Sequence, residues 1–234
     1  MEHIDKLSGT FDSRKTETKA QKAEVSPAVI RRLPRYHRYL GDLLRAERYR
    51  ISSGELSEIM GVTASQIRQD LNCFGGFGQQ GYGYNIKYLY GKISELLGVS
   101  EGYRAVIVGA GNLGKALAQT HMFERRGVSR VALFDVNPEV IGTEINSMPV
   151  LDAKDLGSFC RESDIKLGVL TVPKDAAKEV AEVMAKSGVR GILNFANMEL
   201  TLDEPDVIIE NVHLGDYLMK LCYEMKRSRE DGEK

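Results

Sequence analysis

Residues 105–114 read Ala-Val-Ile-Val-Gly-Ala-Gly-Asn-Leu-Gly, and the organisation of the whole chain follows from them. Ala105–Val108 is a short apolar run of the kind found in a parallel strand buried on both faces. Gly109-Ala110-Gly111-Asn112-Leu113-Gly114 follows at once and has the G-x-G-x-x-G spacing. In this pattern the first glycine permits a tight turn. The second lets the main chain approach a pyrophosphate, and the third lets the following helix pack close to the strand. The helix N-terminus then presents free N–H groups to phosphate. Val131–Asp135 reads as a second strand ending in an acid, about the distance downstream that a ribose-binding carboxylate requires. A carboxylate there repels a 2′-phosphate, so Asp135 favours NAD(H) over NADP(H).

Further strands are expected at Leu167–Thr171, Gly191–Asn194 and Val207–Ile209, with helices near Ala153–Cys160 and at Lys174–Lys186. Strands alternating with helices predict an α/β domain, a parallel sheet covered on both faces. Besides the glycine turn, Asp135 and Val136, the strand ends Thr171-Val172-Pro173 and Asn194-Phe195 are candidates to line a nicotinamide. They are neutral and cannot shuttle protons, as hydride-transfer enzymes usually require. Binding without turnover is therefore the expectation. Two alternatives stay open on the residues: another nucleotide such as coenzyme A, or an NAD-dependent oxidoreductase with an attached second module.

That second module precedes the glycine turn. An amphipathic helix is expected from Ala28 to Ala46, with apolar residues at three- to four-residue steps. Ser52 with Glu55 matches a capping box and starts a helix that stops at Gly61. Thr63 with Gln66 repeats the capping pattern and opens another helix to about Phe74. Two short helices joined at Gly61-Val62 make a helix-turn-helix. The stretch from Gly75 to Tyr84 holds five glycines and three aromatics among ten residues, and so predicts a hairpin wing before a helix at Asn85–Leu97. The second helix of such a motif enters the DNA major groove by its early residues, here Ser65, Gln66, Arg68 and Gln69. Arg68 suits guanine, and glutamine suits adenine. Gln80, Gly81 and Tyr82 of the wing are candidates for the DNA backbone or the minor groove, and Arg32 and Arg35 of the first helix for phosphates. Asp70, which phosphate would repel, is expected in an internal ion pair.

Charge supports this division. From Val25 to Ser100 there are ten Lys/Arg against six Asp/Glu, leaving +4, whereas the whole chain is at −1. A basic module on an acidic chain is compatible with phosphate binding. Five organisational parts result: a disordered extension at 1–24, a winged helix at 25–100, a Rossmann-type domain at 101–212, a C-terminal helix at 213–227, and a tail at 228–234. Neither a secretory signal nor an apolar run of about 20 residues is visible, so a cytoplasmic location without membrane contact is expected. Cys73, Cys160 and Cys222 lie far apart and the four histidines are scattered, so no metal site is expected.

Taken together, RLPRYHRYL (32–40), ISSGELSEIMGVTASQIRQDL (51–71), FGGFGQQGYGYNI (74–86), VGAGNLGKAL (108–117), FDVNPEVIG (134–142), LTVP (170–173) and GILNFA (191–196) resemble the Rex family of redox-sensing transcriptional repressors. The resemblance spans about Val25 to Lys226. It implies a homodimer that exchanges C-terminal helices, binds double-stranded operator DNA with NAD⁺, and releases it with NADH. It also implies a redox-responsive network of a Tyr, an Asp and an Arg. Arg38 matches the Arg, but Thr120 stands at the Tyr position and His213 at the Asp position. The Arg–carboxylate contact is thereby excluded at these positions, and His213 is expected to add pH sensitivity or to weaken the discrimination between NADH and NAD⁺. Gln69 and Gln80 replace basic residues common in the family, which predicts a shallower salt dependence of DNA binding.

Overall fold

The computed structural model describes residues 25–72, 78–79 and 83–232. The extension expected at 1–24, the wing tip Gln80–Tyr82 and the end of the tail lie outside the described residues. Two compact units divide at Ile93/Ser94.

In the first unit, helix α1 (Pro27–Arg45) starts at Ser26, whose side chain accepts the Val29 N–H. Strand β1 is Arg50–Ile51, and helix α2 spans Ser53–Met60. The capping box forms as read: Ser52 accepts the Glu55 N–H, and the Glu55 carboxylate accepts the Ser52 N–H. That main-chain bond, followed by Arg48, pulls the Glu55 carboxyl down to about 2. Gly61 closes α2 with φ +64°, a left-handed cap that glycine adopts without a Cβ clash. Helix α3 (Ala64–Asn72) opens with Thr63 accepting the Gln66 N–H. Strands β2 (Gly78–Gln79) and β3 (Gly83–Asn85) pair antiparallel, and β1 joins the other edge of β3. Helix α4 (Ile86–Leu96) follows. The helices and β-residues enclose a core of Leu33, Tyr36, Leu40, Ile51, Leu56, Met60, Ile67, Leu71, Ile86, Leu89 and Ile93. Gly41 of α1 leaves room for Tyr90 of α4, whose ring stacks on His37 at 4.4 Å.

In the second unit, strand β4 (Tyr103–Val108) sits in the middle of a seven-stranded sheet. Helix α5 (Asn112–Gln119) leads to β5 (Val128–Asp135), then to a hairpin of β6 (Glu144–Ile145) and β7 (Met148–Asp152). Helix α6 (Leu156–Glu162), β8 (Leu167–Leu170), α7 (Lys174–Lys186), β9 (Gly191–Asn194) and β10 (Ile208–Asn211) complete the sheet in the order β10-β9-β8-β4-β5-β7-β6. All neighbours are parallel except β6 with β7. Leaving aside the antiparallel β6, this is the doubly wound order, with the direction of winding reversing between β4 and β8. Side chains alternate across the sheet. Val106, Val108 and Phe134 pack towards Leu156, Ala181 and Met184, while Ile107, Leu133 and Val169 pack towards Leu117 and Ala118.

Two features depart from expectation. The residue pattern gives no sign of the β6–β7 hairpin, because its turn, Asn146-Ser147, adopts positive φ (50° and 62°) without a glycine, and Pro149 disguises the following strand. Helix α8 runs Leu214–Gly232, past the tail boundary placed at 228. No proline or glycine interrupts Arg227–Asp231, and Lys226 meets Glu230 one turn on at 3.8 Å. No helix among the described residues is long and apolar enough to cross a membrane.

Candidate functional site

At the reversal point the glycine turn is braced from both sides. The Gly109 N–H donates to the Phe134 carbonyl at 2.8 Å, and the Thr171 N–H donates to Val108 O at 2.8 Å. The Thr171 hydroxyl lies within hydrogen-bond distance of Gly109 O (2.8 Å) and Val108 O (3.0 Å). Gly109 adopts φ +103°, and a Cβ there would lie 2.7 Å from Thr171 O, so both conformation and space require glycine. Gly114 has no room either, since its Cβ would fall 1.8 Å from Gly109 O.

Gly111 is different. It caps α5 with φ −74°, and a Cβ would meet nothing within 4 Å. Nothing inside the chain requires glycine at this position, where the helix presents its free N–H groups outward. A bound diphosphate would supply the reason, since it needs the main chain to come close. The residues present thus fit a dinucleotide.

Asp135 ends β5 beside this turn. Its Oδ2 accepts the Ala110 N–H at 2.6 Å and its Oδ1 accepts the Asn137 N–H at 2.8 Å. Each carboxylate oxygen keeps a second lone pair, which leaves acceptors for ribose hydroxyls. Val136 is 80% exposed next to it, an apolar surface open to a flat ring. Leu113 is also exposed, whereas Asn112 opens α5. At the other strand ends, Thr171 and Val172 are half-buried and Pro173 is exposed ahead of α7. Asn194 is fully buried: its amide donates to Met198 O and Asn211 Oδ1, and its carbonyl accepts the Ala196 N–H. Its side chain therefore holds the end of β9 in shape, and Phe195 beside it is half-buried. Nothing local in the sequence signals the bracing role of the Thr171 hydroxyl, which depends on β8 lying next to β4.

In the first unit, Asp70 is fully buried and bridges α3 to α1, the internal ion pair anticipated. Arg32 Nε and Nη2 each reach a different Asp70 oxygen at 2.7 Å. The Tyr36 hydroxyl donates at 2.9 Å and the Gln66 amide at 2.7 Å. Burial pushes the Asp70 carboxyl up, but the Arg32, Gln66 and Tyr36 hydrogen bonds outweigh it and hold it below the usual value. Burial, then the bond to Asp70, pushes the Tyr36 phenol up.

Arg32 is thus turned inward rather than held out towards a DNA backbone, and Gln66 is half committed. Arg35 donates to Met60 O at 2.7 Å but remains exposed. Ser65, Arg68 and Gln69 are exposed along α3, with Arg68 reaching Ser53 Oγ at 3.0 Å. Arg38 is exposed on α1 with its guanidinium 5.0 Å from the Tyr39 ring centroid. Thr120 lies at the C-cap of α5, not within the helix. His213 immediately precedes α8, and its Nε2 lies 2.9 Å from Glu199 Oε2. Among the described residues no cluster of three His, Cys, Asp or Glu side chains is arranged to hold a metal.

A family model described as a CoA binding domain matches residues 100–198, and one described as a putative DNA-binding protein N-terminus matches residues 24–72. A redox-sensing transcriptional repressor Rex of Clostridium botulinum (strain Alaska E43 / Type E3) is 49% identical over 88% of this chain and 97% of its own length. The Rex of strain Kyoto / Type A2 is 51% identical over 86% of this chain and 95% of its own. The crystal structure of RSP in complex with β-NAD⁺ and operator DNA superimposes with a TM-score of 0.81 at 48% identity, covering 89% of this chain and 96% of that one. RSP in complex with β-NADH gives a TM-score of 0.81 at 45% identity, covering 90% and 98%. With a buried-strand glycine turn and acid on one unit, a helix-turn-helix on the other, and half its residues shared with these repressors over nearly their full length, the chain belongs to the Rex family of redox-sensing transcriptional repressors.

Proposed function

We propose that this chain is a transcriptional repressor that holds operator DNA as a homodimer and releases it when its Rossmann unit takes up NADH. The observation that carries this reading is Gly111, a helix-capping glycine that no contact within the chain demands. Beside it stands Asp135, an acid with lone pairs left for a ribose. RSP, a close relative, has been crystallised with β-NAD⁺ and operator DNA and with β-NADH. On this reading Gly109–Gly114 receive the pyrophosphate. Asp135 and Val136 receive the adenosine end, and Thr171–Pro173 with Asn194-Phe195 line the nicotinamide end. Ser65, Gln66, Arg68 and Gln69 read bases, and the wing follows the backbone or the minor groove.

Helix α8 supports the homodimer. Leu214, Tyr217, Leu218, Leu221 and Met225 recur at three- to four-residue steps, and each is more than half exposed. An apolar stripe of this length on a soluble helix needs a cover, and a second copy of the chain supplies it symmetrically. Paired winged helices one DNA turn apart would then read a palindrome. A ligand releases DNA only by preferring one arrangement of the pair over the other. The role is regulatory rather than catalytic, and its place is the cytoplasm, where DNA and the dinucleotide pool coexist.

Fluorescence anisotropy of a labelled promoter duplex tests this. NADH is expected to release the duplex, NAD⁺ to leave it bound, and coenzyme A to have no effect. Release by coenzyme A and not NADH would transfer the site to the other nucleotide class. Steady consumption of NADH with a small carbonyl substrate would instead make the chain an oxidoreductase.

A further inference from the structure

Asp70 does more than join two helices. A carboxylate has about four lone-pair positions, and here four donors fill them. Arg32 Nη2 and Gln66 Nε2 reach Oδ1, while Arg32 Nε and the Tyr36 hydroxyl reach Oδ2. The set also fixes the orientation of the glutamine. An ionised carboxylate cannot donate, so Gln66 must turn its NH₂ group, not its carbonyl, towards Asp70. Gln66 is the third residue of α3, and Thr63 holds its main chain at 3.1 Å. Both ends of this residue are therefore held before any DNA arrives.

We propose that Asp70 is a positioning residue for base readout, holding the Gln66 amide so that its carbonyl oxygen and second N–H form a preset edge for one adenine. The inference rests on the operator-binding reading above. A glutamine recognises adenine by accepting from N6 and donating to N7, and one N–H with one carbonyl suffices for that pair. A free glutamine would lose rotamer freedom on binding, whereas one already tied loses little. Asp70 never touches DNA in this scheme. It acts through Gln66, with Arg32 and Tyr36 keeping it charged and in place.

The test uses the full chain and an operator selected by that chain from a random duplex pool. Affinity is measured for this operator, for its single base-pair variants, and for an unrelated duplex. Gln66→Ala is expected to lose discrimination at one A·T pair, by roughly five- to hundredfold. Asp70→Asn is expected to lose discrimination at that same pair while affinity for the unrelated duplex stays unchanged. The double variant is expected to be no worse than Gln66→Ala alone. Equal loss by Asp70→Asn at every position, or on the unrelated duplex, overturns the inference, as does intact discrimination in Gln66→Ala.

Relaxation of the Gln66 side-chain ¹⁵N amide in the unmodified chain decides the matter if Asp70→Asn does not fold. An order parameter close to that of rigid backbone, about 0.85, is expected, and one below about 0.6 overturns the inference. If the unmodified chain selects no operator, the repressor reading fails and takes this inference with it. If it selects one and Asp70→Asn still discriminates normally, only the inference fails.

Discussion

Gly114 and Gly109 are packed so closely that a Cβ on the first would lie 1.8 Å from the carbonyl oxygen of the second. Two glycines of the same motif thus differ: the protein's own packing demands Gly114, whereas no contact within the chain demands Gly111. Gly114→Ala must push α5 off the turn. It is expected to destabilise the Rossmann unit by about 3 kcal/mol, as severe overpacking does. Thermal unfolding should show a fall of roughly 6–12 °C. Gly111→Asp is expected to melt like the parent, since aspartate is a good N-cap, yet bind NADH at least about tenfold more weakly, because its side chain and charge occupy the path to the phosphates. Equal loss of stability in both variants would contradict the division.

Asp135 ties the glycine turn to the end of β5 through the Ala110 N–H at 2.6 Å. A carboxylate at this position is expected to repel a 2′-phosphate. Asp135→Ser is expected to weaken NADH binding by about tenfold and to narrow the gap between NADH and NADPH. Parallel titrations with the two nucleotides measure this. An unchanged ratio would show that the carboxylate serves the turn alone.

Arg32 and Arg68 separate stability from binding. Arg32→Ala leaves the buried Asp70 charge without its bidentate partner and is expected to cost about 3 kcal/mol of N-terminal stability. Arg68→Ala is expected to leave melting unchanged and to weaken operator binding by about 1–3 kcal/mol. The sign of the acid response follows from the depressed Asp70 carboxyl. Its stabilisation is fully present above the unfolded value of about 3.9 and is lost as pH falls through the lower folded value. Helical circular dichroism during acid titration should show Arg32→Ala losing the first unit at higher pH than the parent.

The exposed stripe on α8 makes a simple demand on assembly. Leu218→Asp and Leu221→Asp place charges where an apolar cover is expected, since these residues are 62% and 56% exposed in the single chain. Sedimentation should show a dimer for the parent and a monomer for the double variant, with operator affinity falling in step. A parent that sediments as a monomer at micromolar concentration would remove the homodimer from the scheme.

His213 faces Glu199 at 2.9 Å, while Asp216 of α8 donates its main-chain N–H to the His213 carbonyl at 3.2 Å. The family resemblance implies an aspartate where His213 stands, so His213→Asp is expected to widen the gap between NADH and NAD⁺ in operator binding. Anisotropy with each nucleotide measures it, and an unchanged gap would end the idea.

Much of this molecule was legible as a string of residues because the signals are local. The capping box at Ser52 and Glu55, the left-handed stop at Gly61, and the strand–glycine–helix passage from Ala105 to Gly114 depend on neighbours a few positions apart. Helix α7 and strand β9 appear at the bounds read from pattern alone for the same reason. What escaped lies in pairs far apart in sequence. Arg32 meets Asp70 across 38 positions, and Thr171 braces Gly109 across 62. An arginine reads the same whether it faces phosphate or a buried carboxylate. Only the packing of α1 on α3, and of β8 beside β4, removes water from one side of these groups and leaves a single partner in reach.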